Sequence, residues 1–163
     1  MARRSAPRAK ALRAQLVKLL DFEDAHVGFD RAVKGIPARM RGTVPAGGEH
    51  SLWQLLEHLR IAQADILEFC LTAKYKEKKW PDDYWPVSPS PRSASAWTKA
   101  ISDYRRDRKA FQRLAANTKI DLLAAIPHGT GQTYLREILL AADHAAYHIG
   151  QIVTVRKQLG IWT

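Results

Sequence analysis

Cysteine is almost missing from this chain: Cys70 stands alone among 163 residues. No internal disulfide can form, so stability must come from a packed core, which fits a reducing compartment. No apolar run approaches the roughly 20 residues that a membrane span needs, and a soluble protein is expected. No continuous apolar stretch follows the basic start, which speaks against a secretory signal and leaves the cytoplasm as the expected location. Acidic residues are in short supply, 16 Asp and Glu against 26 Lys and Arg, for a net charge of +10. The excess is local. Arg3, Arg4, Arg8, Lys10 and Arg13 precede the first acid, Asp21, and Lys74, Lys76, Lys78 and Lys79 have only Glu77 among them. Neither a basic–aromatic repeat, nor zinc-finger spacing, nor a recognition helix accompanies that charge, so it reads as solvated surface ahead of nucleic-acid binding. Strand patterns and internal repeats are missing too.

What is present is helical periodicity. With 46% hydrophobic and 26% charged residues, the chain is long enough for one domain with a real core. Residues 1–7 read as a flexible basic tail and 8–163 as a single domain. A first helix is expected from Arg8 to Val33, ending before Gly35, Ile36 and Pro37. After a Gly/Pro-rich loop, Ser51 and Gln54 form a capping-box pattern that opens a second helix running to about Lys74. Four prolines then exclude helix between Lys78 and Ser93. Trp80, Tyr84 and Trp85 in that segment indicate an ordered loop packed across the bundle with its aromatics largely buried. Ser93 or Ser95 caps a third helix that ends near Asn117. A loop from Lys119 to Gln132 leads to the last helix, with Thr133 as N-cap and Gly160 as its stop. Leu135, Ile138, Leu139, Ala142, Ala145, Ile149, Ile152 and Val153 form its apolar side. The fold class is all-α, a four-helix bundle with long irregular links after helices 1 and 2 that allow an up-down-down-up path.

The last helix carries His144 and His148, four apart and on one face. Two imidazoles so placed can reach one ion, but a stable site needs a third ligand from elsewhere. His58 on the second helix is the best candidate, since it lies beside the apolar stripe and can face the interior. The alternative for each is an ordinary buried or boundary histidine. Ala141, Ala142, Ala145 and Ala146 leave room around the pair. Asp143, Tyr147 and Gln151 are candidates to accept the second N–H of a ligand ring, and Asp65 shares the face of His58. His26, His50 and His128 read as structural or solvent-facing. Cys70 lies too far along its helix from His58 to share an ion, and reads as a small buried hydrophobe.

The segment 51–59, Ser-Leu-Trp-Gln-Leu-Leu-Glu-His-Leu, and the segment 135–152, with its Asp-His-Ala-Ala-Tyr-His-Ile-Gly-Gln core, together resemble the DinB-like superfamily. Residues 24–30 and the Trp-Pro-Asp-Asp-Tyr-Trp-Pro loop at 80–86 are similar to one bacterial subgroup. The resemblance implies an up-down-down-up bundle, often dimeric. It also implies a divalent metal, nickel or zinc, on His58, His144 and His148. Some relatives are S-transferases that use bacillithiol, mycothiol or glutathione. Despite the superfamily's name, nothing here points to DNA polymerase or repair activity.

The expectation is a metal-dependent transferase or hydrolase acting on a small molecule, in which a three-histidine site activates a thiol or water. The Trp80–Trp85 loop would wall its entrance, and Arg60 or Arg136 would steer an anionic cosubstrate. A homodimer is expected, with no membrane or nucleic-acid partner. The rival reading is a non-catalytic metal-binding or stress-response bundle, and a basic nucleic-acid-binding protein stands behind both.

Overall fold

A computed structural model describes residues 5–162. Every regular element among them is helical: α1 (Ser5–Leu19), α2 (Phe29–Val33), a single 3-10 turn (Ala38–Met40), α3 (Leu52–Leu71), α4 (Ala94–Ala116) and α5 (Tyr134–Gln158). Of the basic tail expected at 1–7, residues 1–4 lie outside the described residues, and α1 already begins at Ser5. The four long helices pack side by side, α3 against both α4 and α5, and α1 against α4. None of the helices is long and apolar enough to cross a membrane.

The single first helix expected from Arg8 to Val33 is in fact two, with a break over residues 20–28. Arg108 of α4 supplies the reason. Its side chain is only 7% exposed and binds Asp21 through Nη1 at 2.5 Å and Asp30 through Nη2 at 3.0 Å. In an unbroken helix, residues nine apart lie on opposite sides and about 13 Å apart along the axis, so one guanidinium could not bind both. Folding the chain back between them brings both carboxylates to one cation. Above, Arg13 of α1 donates to the carbonyls of Ala115 and Ile120. That places a cation on the C-terminal end of α4, where free carbonyls and the helix dipole favour it.

The α3 cap forms as its sequence pattern predicts. Ser51 Oγ accepts from Gln54 N, and Gln54 Oε1 accepts from Ser51 N. Ser93 and Thr133 cap α4 and α5 by the first of these bonds alone, accepting from Ala96 N and Arg136 N. Past α5, Gly160 takes φ +69°, a left-handed conformation that glycine adopts without a Cβ clash. The second helix stops at Leu71, short of Lys74. Two apolar positions depart from expectation: Leu139 on α5 is 43% exposed and Trp80 is 67% exposed.

The core has two clusters. One gathers Phe29, Leu52, Leu55, Leu59, Tyr104, Ile149 and Ile152, and the other Leu16, Leu67, Phe111, Ile138 and Ala142. α3 and α5 serve both. His144 stands where α5 passes from one cluster to the other, and His58 lies beside Leu59, the last α3 member of the first.

Candidate metal centre

His58 comes from the middle of α3, and His144 and His148 come from successive turns of α5. Because α3 packs along α5, the single residue and the pair meet. His58 Nε2 lies 3.0 Å from His144 Nε2 and 3.1 Å from His148 Nε2. One ligand atom from each ring falls within 4.8 Å of the others. His58 and His148 are buried, and His144 is half-buried. The three residues singled out as ligands are therefore brought to one point.

The outer nitrogens decide what the inner ones can do. His58 Nδ1 lies 3.0 Å from the carbonyl oxygen of Tyr84. A carbonyl can only accept, so the ring carries its proton on Nδ1 and presents a bare lone pair at Nε2. His148 Nδ1 lies 2.6 Å from Gln151 Oε1, with the same consequence. Two lone pairs thus face each other about the same point. A proton on His144 Nε2 can satisfy only one of them, whereas a cation between the rings satisfies all three. Two nitrogens each ~2.1 Å from one ion stand roughly 3.0–3.4 Å apart at square to tetrahedral angles. The observed separations fit that donor set.

Burial keeps the rings unprotonated. It drives His144 down to about 3 and His148 to about 4, with neighbouring imidazoles adding to the effect. His58 is lowered as well, chiefly by burial, with partial relief from its bond to Tyr84. Neutral imidazole is the form that binds a metal, so the site needs no deprotonation near neutral pH.

The other expected residues divide. Gln151 does bind one of the three rings, that of His148. Asp143 does not: it is exposed and, among the described residues, makes no hydrogen bond to the three rings. Asp143 lies about 140° round α5 from His148, taking 100° per residue, and so faces away. Tyr147 is 64% exposed and sets only its ring edge toward His148, with centroids 4.9 Å apart. Asp65 acts at one remove. Its Oδ2 accepts from the hydroxyls of Tyr84 at 2.6 Å and Tyr75 at 3.3 Å. Arg60 is held by Glu57 at 2.6 and 2.9 Å, and Arg136 is bound to Glu137 at 2.7 Å. Cys70 is buried, and burial pushes its thiol up to about 12.

The Pro-rich loop is the part of the site that sequence reasoning left unassigned in detail. Trp85 stacks flat on His58, with centroids 3.8 Å apart and planes 3° apart, and His50 stacks on the far face of Trp85 at 4.0 Å. The indole shields one side of the His58 ring from water. The signal was three aromatics among prolines, Trp80, Tyr84 and Trp85, which says that a loop is ordered but not which ring it covers. On the other side, a cleft of about 580 Å³ opens onto His58 and His144, with Trp80 and Tyr84 along its wall.

The sequence model of the DinB superfamily matches residues 21–152. No curated protein and no solved structure matches the chain. The matched span takes in α3, the loop over His58 and the α5 turns that bear His144 and His148, which is most of the chain and all of its histidine centre. On that match, the chain belongs to the DinB superfamily.

Proposed function

We propose that this protein is a metal-dependent enzyme acting on a small molecule, with His58, His144 and His148 holding a divalent ion, nickel or zinc. The carrying observation is that three neutral imidazoles converge on one point and that two of them, His58 and His144, line an open cleft. A divalent ion with positions open to such a cleft lowers the pKa of a water or thiol and supplies a nucleophile at neutral pH. The chain's own residues do the rest. Tyr84 and Gln151 fix the tautomers of His58 and His148, and Trp85 excludes water from the closed side. The cleft, of a size typical for small ligands, admits the substrate. A low-molecular-weight thiol as cosubstrate makes the reaction an S-transfer, and water makes it a hydrolysis.

The test starts with protein purified without a polyhistidine tag. About one equivalent of metal per chain is expected, falling at least tenfold in His144→Ala. Cobalt-loaded protein then tells an open site from a closed one. On adding 2-mercaptoethanol, a new near-ultraviolet band from sulfur bound at the ion is expected. Stoichiometric metal without that band would favour the non-catalytic reading, and only trace metal in both proteins would end the proposal.

A further inference from the structure

The cleft has a chemical character of its own, separate from the histidines. The protein carries a net charge of +10, yet the ionised side chains lining this cleft are Asp65, Glu77 and Glu137 against Arg136 alone, three negative charges to one positive. Arg136 is already bound to Glu137, whose side chain is 3% exposed. Aromatic rings make up much of the wall, with Phe69, Tyr75, Trp80 and Tyr84 all lining it. Trp80 and Tyr84 lie 5.4 Å apart, and Phe69 and Tyr75 5.2 Å apart.

Asp65 points to the ligand. Its residue is 6% exposed. Two phenols donate to Oδ2, while Oδ1 is buried with no hydrogen-bond partner. A buried carboxylate oxygen without a donor is costly, and such groups are nearly always satisfied. Carboxylates among aromatic faces are the surroundings that recognise organic cations, through charge, N–H donation and the negative faces of the rings.

Resting on the reading of this cleft as the substrate site, we infer that its substrate carries an organic ammonium group, held at the Asp65 carboxylate and flanked by Trp80 and Tyr84. Arg136 does not select for an anion, because its charge is spent on Glu137. The ammonium end sits away from the histidines along α3, since residue 65 is about 10 Å along the helix from residue 58. The reacting end of the molecule is thereby left toward His58 and His144.

Isothermal titration of the protein as purified, near pH 7, with benzylammonium, benzyl alcohol and phenylacetate tests this. Benzylammonium is expected to bind about tenfold more tightly than either of the others, the scale of one charge-assisted contact. Asp65→Asn is expected to bring the ammonium-to-alcohol ratio close to one, and Trp80→Ala to weaken benzylammonium several-fold. Equal binding of the three probes to the unaltered protein overturns the inference. So does a preference that survives in Asp65→Asn, because the amine is then held elsewhere, for instance by the metal. Should Asp65→Asn fail to fold by circular dichroism, Trp80→Ala decides, its side chain being exposed, and unchanged affinity there overturns the inference. Metal content is measured on the same samples. Ammonium preference without metal sinks only the metal reading, and stoichiometric metal without preference sinks only this one.

Discussion

At the scale of single residues, the site is governed by what each imidazole does with its outer nitrogen. Gln151 accepts from His148 Nδ1, so Gln151→Ala frees the ring to rotate and to take the other tautomer. Metal affinity, read by competition with a chromogenic chelator, is expected to fall about 10- to 100-fold, as for other partners of ligand rings. Asp143→Ala, on the exposed side of α5, leaves that affinity unchanged, which separates the two candidates experimentally. The same rings couple stability to pH. His144 and His148 are lowered from the ordinary 6.5 to about 3 and about 4, first by burial. Between those limits the unfolded chain binds more protons than the folded one. The metal-free protein therefore has the full contribution of its neutral rings above about pH 6.5 and loses it as pH falls toward about 4. Denaturation midpoints from about pH 7 to about pH 4.5 check the sign. The unaltered protein should lose more stability over that range than the double variant His144→Gln, His148→Gln.

At the scale of elements, α3 grips the loop that covers the centre. Ser51 Oγ donates to Pro89 O, Gln54 Nε2 to Pro86 O, His58 Nδ1 to Tyr84 O, and Asp65 receives the Tyr84 hydroxyl. Positions 51, 54, 58 and 65 are spaced by three, four and seven, so they lie along one face of the helix. The capping box therefore has two tasks, closing the helix end and pinning the loop. Ser51→Ala is expected to cost about 1 kcal/mol from the lost cap alone, measured by urea denaturation, and to raise the rate at which metal is lost to a chelator. Arg108 organises the other end. Removing it in Arg108→Met leaves Asp21 and Asp30 without their shared cation. Both acids are about two-fifths exposed, so water takes over part of the lost interaction. A destabilisation of about 1–2 kcal/mol is expected in the same assay, below the range for fully buried pairs.

At the scale of the whole molecule, the ion would tie α3 to α5 at the point where the two core clusters meet. Binding to the folded state alone stabilises by about 2.7 kcal/mol at a hundredfold excess over the dissociation constant. For a domain of this size that shifts the melting midpoint by very roughly 5–10 °C. Stripping the metal should lower the midpoint by that order and adding it back should restore it, with no response in a variant lacking all three histidines. Charge also works at this scale. The molecule is strongly basic, yet its cleft is acidic, because Asp65 and Glu137 are turned inward while the lysine cluster near residues 74–79 lies mostly outside.

Much of this protein was determined by sequence alone, because local rules act over a few residues. The periodicity of α3, α4 and α5, the caps at Ser51, Ser93 and Thr133, and the shared face of His144 and His148 all follow from spacing and side-chain chemistry at short range. The choice of His58 over His26, His50 and His128 followed from its place beside an apolar stripe, and the family resemblance agreed. Tertiary structure decided what depends on contacts between distant segments. The break between α1 and α2 exists because Arg108, far along the chain, draws in Asp21 and Asp30. That Gln151 rather than Asp143 bonds the His148 ring is, by contrast, local, since residues three apart share a face of α5 and residues five apart do not. The covering of His58 by Trp85, and the free oxygen of Asp65 in an acidic cleft, arise only where a proline-rich loop lies down on the bundle. No local spacing rule reports where a loop will land, and here that landing shapes the cleft beside the histidines.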